Sequence, residues 1–296
     1  MGCMLCPRGC NAARETGEVG YCGMPATLLV ARAAKHPFEE PPISGTRGSG
    51  TVFFSGCSLG CLYCQNGAIR GPQSGRAFTE GELGELFLAL QAQGVHNINL
   101  VTPTHYADRI AAALAGVRQA LTVPVVYNCG GYERVETLKR LEGLVDIYLP
   151  DFKYISPALS RAYSAAPDYA EHATAALAEM YRQTGPVVFD KEGLLRRGVM
   201  VRHLVLPGSR LDSQAVLTRI AETVPVSEIR LSLMRQYTPE FAPKDGPKAL
   251  GRRVTSFEYD TVMRHAMALG FEGYFQTKES VGTAYTPDFS DPVWPI

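Results

Sequence analysis

Short β-rich runs alternate with longer amphipathic stretches from residue 51 onward, and this alternation constrains the fold more than any other feature of the sequence. Six runs have the length and composition of β-strands: 51–55, 97–101, 124–128, 146–150, 200–206 and 228–234. Strands that alternate with helices are typical of repeated βα units around a parallel sheet. The alternation therefore predicts an α/β fold.

The segments between these runs carry helical patterns. Thr79 offers an N-cap hydroxyl and Glu82 a carboxylate three residues later, and Leu83, Leu86 and Phe87 follow at helical spacing. Further helical patterns cover 106–118, 133–141, 169–184, 212–223 and 257–269. In parallel βα architectures, ligands bind at the carboxyl ends of the strands. We therefore expect the chemistry in the residues directly after each run.

The composition excludes several classes of protein. Among 296 residues, 46% are hydrophobic and 20% charged, which is ordinary for a soluble globular chain. Lys and Arg number 29 and Asp and Glu also number 29, so no strong attraction to nucleic acid or an anionic membrane follows. The apolar runs are far shorter than the ~20 residues of a membrane span, and the first residues show no signal pattern. We expect a cytoplasmic protein that binds neither nucleic acid nor a membrane.

The eight cysteines fall into groups. The first group is Cys3, Cys6, Cys10 and Cys22, the second is Cys57, Cys61 and Cys64, and Cys129 stands alone. Without an export signal, cysteines favour metal binding or redox chemistry over disulfides. Residues 1–50 are cysteine-rich at first and then rich in Pro and Gly, which predicts a small metal-binding lobe and a connector. Residues 51–275 form the predicted βα domain, and 276–296 form a tail.

The second group of cysteines lies on one short loop directly after the first predicted strand. Three thiolates so close together can hold three irons of a cubane cluster and leave the fourth iron without a protein ligand. A structural zinc site normally has four ligands, and no fourth Cys or His is near in the sequence. The loop therefore favours an iron–sulfur cluster with an open coordination position.

The spacing Cys-x3-Cys-x2-Cys, with Tyr63 before the last cysteine, resembles the radical S-adenosylmethionine (SAM) superfamily. Within it, the chain is similar to the branch related to pyruvate formate-lyase activating enzymes. The segments that carry this similarity are 53–57, 97–105, 146–154 and 202–208, and the likeness extends from residue 3 to about residue 259.

This resemblance implies a partial (β/α)6 TIM-like barrel with Cys57, Cys61 and Cys64 binding a [4Fe-4S] cluster at its mouth. The open iron would chelate SAM, and an electron from an external donor such as flavodoxin or ferredoxin would split SAM into methionine and a 5′-deoxyadenosyl radical. The cofactor supplies the difficult chemistry, whereas the barrel orients it and excludes water.

The resemblance also assigns SAM-binding residues. Thr102 and Thr104 follow the second strand, where most radical SAM proteins have a glycine-glycine-acidic motif, and this departure is typical of the branch. The remaining candidates near SAM and a nearby cation are Tyr63, Asn128, Cys129, Asp151 and Lys153. Asp151 and Lys153 are two apart and so point to one face in an extended chain.

Several of these residues have a structural alternative. Asp151 and Lys153 fit a pair of solvated charges, and Cys129 fits a small buried side chain. His105 is either a proton donor facing substrate or a hydrogen-bonded structural residue. A further set follows the late strands and is expected to shape the substrate pocket: Arg202, His203, Arg235, Gln236 and Tyr237.

The four amino-terminal cysteines supply a complete ligand set within 20 residues. Four thiolates suit tetrahedral zinc or an auxiliary iron–sulfur cluster, and spacing does not separate the two. Unliganded buried cysteines are the alternative. We expect a second metal site in this lobe.

The substrate stays open. One interpretation is hydrogen abstraction from a glycine of a partner protein, which yields a glycyl-radical enzyme. A second is radical modification of a small molecule or peptide. A third, from a different class, is a noncatalytic iron–sulfur redox-sensing protein.

Overall fold

The computed structural model describes residues 2–71 and 75–277, together with 287, 289, 294 and 295. The strands are β1 Leu28–His36, β2 Ser49–Phe54, β3 Arg76–Phe78, β4 Ile98–Val101, β5 Val125–Cys129, β6 Ile147–Pro150, β7 Val188–Phe189, β8 Leu195–Leu204, β9 Arg230–Met234 and β10 Gly273–Phe275. The helices are α1 Pro41–Ser44, α2 Glu80–Ala92, α3 Ala107–Val117, α4 Val135–Lys139, α5 Pro157–Ser164, α6 Tyr169–Thr184, α7 Arg210–Thr223 and α8 Ser256–Ala268.

These strands form one sheet in the order β10-β9-β8-β6-β5-β4-β2-β1-β3, with β7 paired to β8. All neighbours from β2 to β10 along this order run parallel. Strand β1 pairs antiparallel with both β2 and β3. The described sheet therefore ends at β3 on one side and β10 on the other, which confirms the predicted α/β fold with an open, partial TIM-like barrel.

Strands β2, β4, β5, β6, β8 and β9 match the six predicted runs. Strands β1, β3, β7 and β10 were not predicted. Strand β1 occupies part of the expected connector, where its three alanines give little strand signal and its pairing with β2 supplies the missing stabilisation. The division at residue 50 stays a prediction, and most of the predicted tail lies outside the described residues.

Alternation along the strands gives the sheet two faces. The outer face packs against the helices and forms the main core, with Val52, Phe54, Leu100, Tyr127, Tyr148 and Val201. The inner face, which lines the barrel, is apolar at Val126, Ile147, Leu149 and Met200, which pack with Ile43. Between and beside these apolar positions, the inner face carries polar residues: Ser49, Thr51, Asn99, Asn128 and Arg202.

Helix α2 begins with the predicted capping box. The Thr79 hydroxyl accepts the Glu82 backbone N–H at 3.2 Å, and the Glu82 carboxylate accepts the Thr79 backbone N–H at 2.8 Å. Helix α8 begins in the same way at Thr255 and Glu258, which was not predicted. Within the described part of the chain, no helix is both long enough and apolar enough to span a bilayer.

Candidate active site

The carboxyl ends of β2, β4, β5, β6 and β8 meet at one edge of the sheet because these strands are parallel neighbours. The cysteine loop follows β2, Thr102 follows β4, Gly130 follows β5 and Asp151 follows β6. Arg202 lies near the end of β8, where it forms a bridge with Asp151. The expectation that the residues after the strands come together is confirmed.

Cys57, Cys61 and Cys64 share the loop after β2. The Cys57 sulfur accepts the backbone N–H groups of Leu59 at 3.3 Å and Gly60 at 3.4 Å. Burial and the neighbouring cysteines raise the pKa of the Cys57 thiol, and together they raise that of Cys64 to about 12. The three thiols are therefore close enough to influence one another electrostatically.

This donor set fits an iron–sulfur cluster. A buried thiol with a raised pKa stays protonated by itself, and a metal that replaces the proton offsets the charge of the buried thiolate. Among residues 2–71 and 75–277, no three His, Cys, Asp or Glu side chains converge closely enough to hold a single metal ion. The thiols of a cubane bind different irons, so they stand farther apart than ligands of one ion.

A chain of hydroxyl groups connects Tyr63, which lies within the cysteine loop, to the Cys61 sulfur. Tyr63 and Tyr154 share a hydrogen bond of 2.6 Å, and Tyr154 and Ser164 share one of 2.9 Å. The Ser164 hydroxyl in turn donates to the Cys61 sulfur at 3.1 Å. These hydrogen bonds fix the position of the Tyr63 hydroxyl near Cys61, and contact between the Tyr63 side chain and SAM stays a prediction.

The loop after β4 is conformationally strained at Thr102, whose φ of +59° lies in the left-handed region. A β-branched residue rarely adopts this conformation, and such outliers concentrate at functional sites. Its backbone N–H donates to the Asn128 carbonyl at 2.9 Å. The Thr104 hydroxyl instead donates to the buried Glu133 carboxylate at 2.6 Å. Thr102 is therefore the better placed of the two predicted threonines to border the inner face.

Glu133 was not foreseen, because an isolated carboxylate after a Gly-Gly pair gives no signal in the sequence. It also accepts the Tyr127 hydroxyl at 3.3 Å. Burial raises the pKa of Glu133 to about 7, although the hydrogen bonds from Thr104 and Tyr127 partly oppose this.

His105 is almost wholly buried, and its Nε2 donates to the Ser55 carbonyl at 2.7 Å. Burial lowers the pKa of His105 to about 3, so the ring is neutral. This hydrogen bond joins the loop after β4 to the residue that follows β2. The contact is structural, and a role of His105 in catalysis stays a prediction.

Asp151 and Lys153 form an ion pair of 2.7 Å, as their spacing predicts, and only about 15% of each side chain is exposed. Asp151 also pairs with Arg202 at 3.0 Å. Burial by itself would raise the pKa of Asp151, but Arg202 and Lys153 outweigh it and hold that pKa below its ordinary value. The alternative of two solvated charges is wrong for this buried, paired arrangement.

Arg202 gathers groups from three parts of the chain. Besides Asp151, its guanidinium donates to the Asn128 side-chain oxygen and lies 3.8 Å from the Glu39 carboxylate. Glu39, from the segment before α1, was not foreseen, because nothing in the sequence places that segment against the inner face. Burial and the neighbouring Glu40 charge together raise the pKa of Glu39 to about 7.

Cys129 lies on the outer face of β5 among core side chains, and burial raises its pKa well above the ordinary value. The structure thus matches the alternative of a small buried side chain. At the strand end, Gly131 adopts φ +78° and packs so closely against the Asp151 backbone that a Cβ would lie 2.1 Å from its carbonyl oxygen, so only glycine fits there. SAM contact at Cys129 stays a prediction.

The late-strand residues mostly make structural contacts. His203 Nδ1 donates to the Phe152 carbonyl at 2.7 Å, and the Tyr237 hydroxyl donates to the Leu250 carbonyl at 2.6 Å. Arg235 donates to Ser256 at 3.0 Å, whereas the backbone N–H of Gln236 donates to Gln276 at 3.2 Å. Of the five expected pocket residues, Arg202 is the one placed among the charges at the strand ends.

The amino-terminal cysteines also lie near one another. Burial raises the pKa of Cys6 to about 12 and raises that of Cys22, with smaller increases from Cys3 in both cases. The buried Arg14 guanidinium lies 3.7 Å from the Cys3 sulfur and donates to the His105 carbonyl at 2.6 Å. The lobe therefore contacts the loop after β4.

Arg8, between Cys6 and Cys10, connects this lobe to the cluster loop. Its guanidinium donates to the carbonyls of Ser58 at 2.8 Å, Leu59 at 3.0 Å and Ser164 at 2.7 Å, and also to that of Ala165. It stacks 3.6 Å above the Tyr21 ring. The two cysteine groups are thus joined by one side chain.

Comparison with known proteins identifies the family to which the chain belongs. The sequence profile of the Radical SAM superfamily matches residues 51–208. The chain is 26% identical over 275 residues to the uncharacterised protein MJ0674 of Methanocaldococcus jannaschii, which covers 89% of this chain and 74% of that protein. It is 38% identical over 65 residues to a 7-carboxy-7-deazaguanine synthase of Methanothermobacter thermautotrophicus, covering 21% of this chain and 26% of that enzyme.

Proposed function

Because the chain belongs to the radical SAM superfamily, we propose that it holds a [4Fe-4S] cluster through Cys57, Cys61 and Cys64 and uses SAM to abstract hydrogen from a substrate. When bound, these groups supply one-electron cleavage of the sulfur–C5′ bond to methionine and a 5′-deoxyadenosyl radical. The observation that carries the proposal is the grouping of three buried thiols at the carboxyl ends of parallel strands.

We assign the surrounding residues to binding SAM and orienting it beside the cluster. Lys153 is a buried cation near Cys61 and can attract a carboxylate such as that of SAM, while Asp151 keeps it charged. Gly131 lets the β5 end pack closely against the Asp151 backbone and so helps to position the Asp151–Lys153 pair. The Tyr63–Tyr154–Ser164 chain fixes the Cys61 side and excludes water from it.

We also propose that Cys3, Cys6, Cys10 and Cys22 bind a second metal, either zinc or an auxiliary iron–sulfur cluster. Because no three of these thiols converge on one point in the described structure, a single zinc ion would require them to move closer together. Support comes from the electrostatic effects of these thiols on one another and from the Arg14 guanidinium, which lies 3.7 Å from the Cys3 sulfur. Loss of about four irons in the Cys3→Ala/Cys6→Ala double variant would identify a [4Fe-4S] cluster. Loss of one zinc would identify a structural site.

For the substrate, we propose a chemical class and not an individual molecule. Activation of a glycyl-radical enzyme, with flavodoxin or ferredoxin as electron donor, follows from the resemblance of the sequence to activating enzymes. Modification of a small molecule or peptide is favoured by a specific observation, the buried polar inner face beside the strand ends. Activity in the cytoplasm remains our expectation for either.

The test is SAM cleavage by anaerobically reconstituted protein. With SAM and dithionite, wild type is expected to release 5′-deoxyadenosine, and Cys57→Ala is expected to release none. Arg264→Ala, which changes an exposed side chain on α8, is the control and is expected to release 5′-deoxyadenosine as wild type does. Absence of 5′-deoxyadenosine from reconstituted wild type that holds about four irons would favour the redox-sensing protein instead.

A further inference from the structure

Two adjacent carboxylates reach the inner face of the sheet from the segment that precedes α1. Glu39 accepts the Asn128 side-chain N–H at 3.5 Å and lies 3.8 Å from the Arg202 guanidinium. Glu40 is near both, because it raises the pKa of Glu39 and of Arg202. A segment from outside the parallel strands thus brings two acidic side chains to the strand-end charges.

The charges in this group do not balance. Three carboxylates, Glu39, Glu40 and Asp151, face two cations, Arg202 and Lys153. Asp151 takes the close contacts of both cations, at 3.0 Å and 2.7 Å. Glu39 keeps only the long contacts, and the buried Oε2 of Glu40 has no hydrogen-bond partner among the described residues. While Glu39 is ionised, one negative charge is in excess at this largely buried group, and protonation of Glu39 or binding of a cation removes it.

Unused hydrogen-bonding groups lie next to these carboxylates. Asn99 is fully buried, and its amide N–H approaches Glu39 closely enough to lower the pKa of that carboxyl as a weak hydrogen-bond donor, whereas its amide oxygen has no partner in the described structure. Thr51, its register partner in β2, has an unpartnered buried hydroxyl. Buried polar atoms without protein partners are rare and usually bind water or a ligand. Asn99 thus provides an indication of a ligand that is independent of the acidic pair.

We propose that Glu39 and Glu40 bind a protonated amine of a small polar substrate, with Asn99 and Thr51 binding its neighbouring polar groups. An ammonium supplies the missing positive charge and donates to the carboxylate oxygens. The identification of this molecule as the substrate rests on the proposed function. It favours modification of a small molecule over modification of a protein glycine.

The geometry favours an amine over a metal ion. Across the described ranges, no three acidic, His or Cys side chains converge on one point. The Arg202 guanidinium lies within the group and would repel a divalent ion about twice as strongly as a singly charged ammonium at the same distance. A primary ammonium has three N–H donors and needs only acceptors placed around them, and an amide such as that of Asn99 both donates to and accepts from an attached polar substituent.

Calorimetric titration of the reconstituted enzyme with n-butylammonium chloride tests the amine site, with n-butanol as the neutral isostere. Wild type is expected to bind the amine and not the alcohol. Glu39→Gln and Glu40→Gln should each weaken binding about tenfold or more, as for loss of one charge-assisted hydrogen bond. Glu39→Asp, which keeps the charge, should retain much of the affinity. Glu222→Gln, an exposed carboxylate on α7, is the matched control and should bind as wild type does.

The inference would be overturned if wild type did not bind the amine, if it bound the alcohol equally well, or if both Gln variants bound the amine with wild-type affinity. Displacement of the amine by equimolar sodium would also overturn it, because it would indicate an alkali-metal site. Circular dichroism and iron content establish whether each variant is folded. If Glu39→Gln does not fold, the affinity of Glu40→Gln for the amine decides the test. Amine binding without 5′-deoxyadenosine release would defeat only the proposed function. Release of 5′-deoxyadenosine without amine binding would defeat only this inference.

Discussion

The Arg8 guanidinium donates to the Ser58 carbonyl at 2.8 Å, across 50 residues of sequence, and so fastens the amino-terminal lobe to the cluster loop. Three further carbonyls, of Leu59, Ser164 and Ala165, accept from the same side chain. Because Ser164 also donates to the Cys61 sulfur, Arg8 supports the cluster ligand from two directions. We therefore expect the amino-terminal lobe and the cluster loop to stabilise each other.

Replacing Arg8 should therefore affect the cluster. Arg8→Ala leaves four carbonyls without this donor and is expected to destabilise the fold by about 2 kcal/mol or more and to lower the iron content after reconstitution. Arg8→Lys keeps the charge but not the planar fork, so it should rescue only part of the loss. Iron and sulfide analysis measures the effect, with the exposed Arg264→Ala as control. Wild-type iron content in Arg8→Ala would show that the loop holds its ligands unaided.

The Asp151 carboxylate should be essential for stability. Asp151→Asn leaves Lys153 and Arg202 buried without their close counter-charge, which is expected to cost about 3 kcal/mol or more. Urea denaturation measures this loss. Asp108→Asn, in the exposed pair with Arg140, provides the comparison and should cost less than about 1 kcal/mol. Equal losses in the two variants would mean that the strand-end pair is not a buried network.

The raised pKa of Glu133 gives stability a defined pH dependence. Its pKa is about 7 in the folded chain, against 4.5 for an unperturbed glutamate, so the folded state holds this proton more tightly than the unfolded state does. The contribution is fully present below pH 4.5 and is lost as the pH rises through 7. Relative to Glu133→Gln, wild type should lose about 3 kcal/mol of stability over this interval. Denaturation at several pH values tests this, and a difference that is independent of pH would contradict it.

The left-handed backbone conformation of Thr102 should lower the free energy of unfolding. Thr102→Gly removes the steric strain and is expected to stabilise the fold by about 1 kcal/mol, while loosening the loop that borders the proposed SAM site. Ala165, at φ +49°, offers a matched position at the end of α5, and Ala165→Gly should stabilise the fold similarly. Thermal unfolding and 5′-deoxyadenosine release together separate the two effects. Destabilisation by Thr102→Gly alone would show that its side chain makes contacts that outweigh the strain.

Local features of the sequence were sufficient for much of the architecture. Short apolar runs predict the six parallel strands, and Thr79 with Glu82 predicts the start of α2, because these signals depend on neighbours within a few residues. Strand β1 had no such signal, since it depends on its pairing with β2.

The sequence by itself determined the βα order, the cysteine loop after β2 and the shared face of Asp151 and Lys153, because strand alternation and spacing fix which side chains lie together. Only the tertiary structure decided that Glu39 reaches Arg202, that Glu133 binds Thr104 and that Arg8 joins the two cysteine groups. The partners in these contacts lie far apart in the sequence, 29 residues for Thr104 with Glu133 and 50 for Arg8 with Ser58. Long-range pairing of this kind is set by how the sheet and its connections pack, which no local pattern encodes.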